Sequence, residues 1–154
     1  MQLLGKALIA LAMAGGALII GAPAQSAELK AEGSIPGLSV VVQDLKRDEA
    51  NSVTLRFQLI NASDKSVGIS GKFHQGASDG DQISGVHLID NVNKKKYLVV
   101  RDTNKKCACS SIHDIEKGGR ANLWAKFAAP PENVEKMTVV VPDFQPIDSV
   151  PITR

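Results

Sequence analysis

Val53-Thr54-Leu55-Arg56-Phe57-Gln58-Leu59 alternates apolar and polar side chains without a break. Successive side chains of an extended chain point to opposite faces, so this stretch reads as a strand with one buried and one wetted face. Upstream, Leu38 to Leu45 carries Val40, Val41 and Val42, whose branched side chains favour a pleated surface. Asp48-Glu49-Ala50-Asn51 between the two runs is turn chemistry, and together they predict a hairpin.

Working outward, strands are expected at Val67 to Ser70, Ile83 to Ile89, Lys96 to Arg101, Ala121 to Phe127 and Lys136 to Val141, with a short terminal piece at Val150 to Ile152. Asp90-Asn91-Val92-Asn93, Asp102-Thr103-Asn104, Gly118-Gly119 and Pro130-Pro131 supply turns between them. Pro130 to Glu135 has room for one short helical turn, Ala31 to Gly37 is a linker-like entry, and Gly71 to Gln82 is the longest polar connection. This pattern predicts an all-β domain, an antiparallel immunoglobulin-like sandwich of seven or eight strands, with a barrel as the alternative closure. Leu55, Phe57, Leu59, Leu88, Leu123, Phe127, Val139 and Val141 are the expected core. On the Ala121 to Phe127 strand, Leu123 and Phe127 share one face and Trp124 takes the other, so one large ring is left near the surface.

The first 27 residues have the form of a secretory signal: Lys6, the apolar run Ala7 to Ile20, the breakers Gly21 and Pro23, then the small residues Ala22 to Ala27. Cleavage is expected between Ala24 and Glu28, leaving residues 28–154 as one domain, periplasmic or secreted. Losing Lys6 leaves 17 basic against 16 acidic residues, a balance that argues against a nucleic-acid partner. No later apolar run reaches spanning length, so no integral membrane segment is expected after signal removal. Without a cysteine at the end of the signal, the chain is expected to be released rather than lipid-anchored.

Cys107-Ala108-Cys109 contains both cysteines of the chain. In an oxidising compartment the pair suits a disulfide at a turn, since bonding needs Cα atoms about 4.4–6.8 Å apart. A second reading is a redox-active pair, although C-x-C lacks the helix N-terminus that activates C-x-x-C thiols. A third adds His113 as a ligand for Cu(I) or Zn²⁺, one donor short of a closed zinc tetrahedron.

Other motifs weigh less. Gly76-Ala77-Ser78-Asp79-Gly80 has the glycines and serine of a nucleophile elbow but neither the strand before nor the helix after, and reads as a loop. Asp79-Gly80-Asp81 lacks the further acids of a calcium loop and reads as a solvated turn. His74 sits in the Gly-rich loop, while His87 is expected to point outward from its strand. Lys94, Lys95, Lys96, Arg101, Lys105 and Lys106 concentrate positive charge on one expected hairpin. Such a cluster either protects a sheet edge from self-association or contacts an anionic polymer or membrane surface.

Lys96 to Asp102, Cys107-Ala108-Cys109-Ser110, Leu123 to Phe127 with Pro130-Pro131, and Val139-Val140-Val141-Pro142 together resemble a domain of exported bacterial envelope proteins. In some actinobacterial members that domain precedes an outer-membrane-protein-A-type peptidoglycan-binding module. The chain is similar also to secreted immunoglobulin-like domains that include a mycobacterial immunoprotective antigen. The resemblance covers the C-terminal half well and the N-terminal half by strand pattern, and the C-x-C pair matches it. It implies a sandwich fold and an exported, noncatalytic role. Because the sequence ends at Arg154, just after the last expected strand, wall binding is not carried over. The expectation is therefore a soluble, noncatalytic binding or adaptor module of the bacterial envelope, with a protein or envelope component as partner and no cofactor. The alternative is a thiol redox or soft-metal protein using Cys107 and Cys109.

Overall fold

The computed structural model describes residues 28–154, and the expected export signal lies outside them. The described chain is all-β, with antiparallel strand pairing throughout its sheets and one 3₁₀ turn at Ala77–Asp79. In chain order the strands are β1 Lys30–Glu32, β2 Leu38–Asp48, β3 Ser52–Asn61, β4 Val67–Gly68, β5 His87–Asp90, β6 Lys95–Leu98, β7 Asp114–Ile115, β8 Arg120–Ala128, β9 Lys136–Val140 and β10 Ile147–Pro151. Ten strands replace the expected seven or eight. Those without a counterpart in the sequence reading, β1 and β7, span three and two residues, too few to show a period.

One sheet has the order β1-β2-β3-β8 and a second β10-β9-β5-β6, with β4 and β7 forming a separate short pair. The two larger sheets share one apolar core. Val53, Leu55, Phe57 and Leu59 of β3, Leu88 of β5, Leu123 and Phe127 of β8, Val139 of β9 and Val141 beyond it are all buried, as their alternation predicts.

The β2–β3 hairpin forms with its turn at residues 49–51, and β2 carries a bulge. Val42 pairs with Phe57 and Asp44 with Arg56, leaving Gln43 as the extra residue. A bulge shifts the side-chain phase by one. That is why Val40, Val42 and Leu45, which no single period-2 pattern joins, are all buried on one strand.

Three expected strands are shorter by two residues or more, and Val67 to Ser70 is reduced to Val67–Gly68. The segment Ile83 to Ile89 is extended only from His87, because Ser84 and Gly85 form a turn in which the Gly85 amide donates to the Phe73 carbonyl at 2.7 Å. A Cβ at residue 85 would lie 2.8 Å from that oxygen, so the close approach requires glycine. Lys96 to Arg101 is divided between the sheets. β6 pairs with β5 as far as Leu98; the next residue, Val99, bridges Phe127 of β8, and the Val100 amide donates to the Lys126 carbonyl at 2.9 Å. Pro130 to Glu135 makes a turn closed by the Val134 amide on the Pro131 carbonyl, not a helical turn.

Candidate functional site

The sheet switch at Val99 places the C-x-C segment beside β8. The Arg101–Cys107 and Cys109–Ala125 bridges hold it on either side. Between them the Ala108 amide donates to the Val100 carbonyl, and the Ala108 carbonyl accepts from the Lys126 amide, both at 2.9 Å. Cys107 is buried and Cys109 is half-buried against the core. Their sulfurs lie within bonding distance, with Cα atoms 5.4 Å apart, inside the range a disulfide accepts. Alternation along an extended segment turns the intervening Ala108 to the opposite side from both sulfurs.

That opposite side holds Trp124. On β8 the buried phase is Leu123, Ala125 and Phe127, which leaves the indole outward and 42% exposed. Trp124 pairs directly with Arg56 of β3, and Lys126 pairs with Thr54. Asp48, Thr54, Arg56, Ala108, Trp124 and Lys126 line a shallow groove of about 450 Å³. Thr54 Oγ1 donates to Asp48 at 2.7 Å and Lys126 Nζ lies 3.3 Å from the same carboxylate. These contacts, the Thr54 bond foremost, hold Asp48 below the usual carboxylate range. Arg56 and Asp44 stand 3.5 Å apart. Alternation foretold that a large ring would remain outside; it did not place Arg56 opposite Trp124 or Ala108 beside it, because those neighbours come from the β3–β8 register and the sheet switch.

The expected single basic hairpin is not present. Arg101 is consumed by Asp79, donating two bonds at 2.8 and 2.9 Å to a carboxylate that is almost wholly buried. Ser84 Oγ and the Gly76 amide donate to the same carboxylate. Arg101 and then Ser84 hold Asp79 far below its ordinary pKa. The stretch read as a loop and a solvated turn is thus the anchor of the Gly71 to Gln82 connection. Lys94, Lys95 and Lys96 sit at the β5–β6 turn. Lys105 and Lys106 belong to a separate turn, closed by the Lys105 amide on the Asp102 carbonyl and the Asp102 amide on the Lys106 carbonyl. Five residue steps of chain from Lys96 to Arg101, roughly 17 Å if extended, separate the two.

The histidines are dispersed. His113 is exposed, with Nδ1 3.2 Å from Asp81, whose other oxygen accepts from Ser70. The Ser70 bond first, and then His113, lower the Asp81 pKa. In this cluster the carboxylate lies between serine and histidine, so the imidazole is not placed to take the hydroxyl proton. His87 is half-buried rather than fully outward; burial lowers its pKa, and its ring bonds the Gly85 carbonyl at 3.1 Å. The Cys107, Cys109 and His113 metal set is not assembled, and among the described residues no three His, Cys, Asp or Glu side chains form a group that would hold a metal ion. No family model matches this sequence, and neither a curated protein nor a solved structure matches it.

Proposed function

We propose that this chain is an exported, noncatalytic binding module of the bacterial envelope, an immunoglobulin-like sandwich that engages a protein or envelope partner through the Trp124 face of its β1-β2-β3-β8 sheet. The observation that carries the reading is the position of Trp124, the only tryptophan of the chain, held outward beside Arg56 and Lys126 in a groove. Tryptophan and arginine are the residue types that most often dominate binding energy, because each offers a large, rather rigid surface with a polar handle. Support for the fold type comes from two four-stranded antiparallel sheets around a shared core and from the resemblance to exported envelope domains. In this reading the C-x-C pair is a structural clip: its sulfurs face the core and Ala108 forms the groove wall.

The test is photo-crosslinking in the exporting cell, with a photoreactive residue at position 124 and, as control, at the exposed Lys117 position. A discrete adduct from 124 alone supports the module. Equal labelling at both positions, or a mature protein whose N-terminal sequence still begins at Met1, defeats it.

A further inference from the structure

We infer that the β5–β6 turn is a docking tip for an anionic lipid bilayer, with Val92 entering the headgroup layer and Lys94, Lys95 and Lys96 facing the lipid phosphates. The Trp124 groove plays no part in this.

The turn is built to hold its shape. The Asp90 side chain is fully buried beneath it and accepts from the Val92 amide at 2.9 Å, the Asn93 amide at 3.0 Å and Asn93 Nδ2 at 2.7 Å. Turn geometry therefore presents Val92 at the apex, 64% exposed, above Leu98 at 45% and Trp124 at 42%. An apolar side chain fixed at the tip of a rigid turn has no partner within the described residues.

Among the described residues none of the surrounding Lys94, Lys95 and Lys96 makes an ion pair, so their charges remain open to an outside partner. Against burial, and beside the Asn93 bonds, the charge of Lys95 does help hold the Asp90 carboxyl low. The acids nearby are turned away: Asp90 faces the turn amides, and Asp148 accepts from Thr138, which itself accepts from Asn91. Lys94 also occupies left-handed backbone, φ 56°, where glycine or asparagine would sit with less strain.

Charge selects an anionic surface, and Val92 selects a bilayer over a soluble polyanion. A polyanion is held by the lysines alone. A bilayer takes up an apolar side chain at its interface while its negative potential attracts the flanking lysines.

The purified protein is tested for sedimentation with phosphatidylglycerol vesicles and with phosphatidylcholine vesicles, and for binding to soluble polyphosphate. Binding to phosphatidylglycerol and not to phosphatidylcholine vesicles, weakened by salt and tighter than binding to polyphosphate, is expected. Each Lys→Gln change should lower partitioning about fivefold and the triple change on the order of a hundredfold. Lys94→Gly should show the same loss with a raised Tm, which separates binding from folding. Val92→Ser should weaken vesicle binding while leaving polyphosphate binding unchanged. Failure of the wild-type protein to bind phosphatidylglycerol overturns the inference. So does a triple variant that binds vesicles normally but self-associates, the signature of edge protection, or a preference for polyphosphate that Val92→Ser does not alter.

Discussion

Replacing Arg101 by methionine keeps most of its aliphatic bulk and removes both bonds to Asp79. Breaking a fully buried ion pair costs about 3–5 kcal/mol, because the remaining charge has lost its partner. Two features of this pair reduce the figure. The Arg101 side chain keeps 31% of its surface in solvent, and Ser84 Oγ and the Gly76 amide stay on the carboxylate after the change. The expected loss is therefore about 2 kcal/mol at neutral pH, read as a lower midpoint in urea unfolding at unchanged slope. The pH dependence carries an independent sign. Asp79 has a folded-state pKa held below its unfolded value, so its contribution is fully present above the unfolded pKa, near 4, and is lost as pH falls toward the folded one. The gap between wild type and Arg101→Met should narrow below that pH, and Asp79→Asn combined with Arg101→Met should be less damaging than Arg101→Met alone. A variant within about 0.5 kcal/mol of wild type at neutral pH, the range of ordinary surface changes, would show that the pair is not what anchors this loop.

Phe57→Ala should cost about 3–5 kcal/mol, since the ring is fully buried between the sheets; a shift within error in chemical unfolding would place that face outside the core. The Cys107→Ser, Cys109→Ser double variant should lose only about 0–2 kcal/mol, because a loop closed over one residue removes little chain entropy. It should also alter acrylamide quenching of Trp124 by loosening the Ala108 wall. Rapid alkylation of natively purified protein would instead favour the thiol reading. Trp124→Ala should change stability by no more than about 0.5 kcal/mol while abolishing the adduct formed by a photoreactive residue placed at the neighbouring position 56. A large loss of stability would make the indole a structural residue.

The eight expected core residues all emerge buried, because period-2 alternation along β3, β5, β8 and β9 is a property of neighbouring residues and needs no knowledge of partners. The same local logic turned Trp124 away from Leu123 and Phe127, whereas the C-x-C pair, expected at a turn, comes together on an extended segment bridged to Arg101 and Ala125. What the chain does between strands was not legible in this way. The bulge at Gln43, the turn at Ser84-Gly85 and the sheet switch after Leu98 each break the period without a marker strong enough to identify them. Arg101 looked like one more member of a basic cluster, and Asp79 like part of a solvated turn. They stand 22 positions apart and meet only because the chain between them folds back. The division of the lysines between two turns follows from the same routing. Sequence alone determined which side of β3, β5, β8 and β9 is apolar, a matter of spacing; tertiary structure decided which charges are paired, because pairing depends on contacts between residues that no spacing connects.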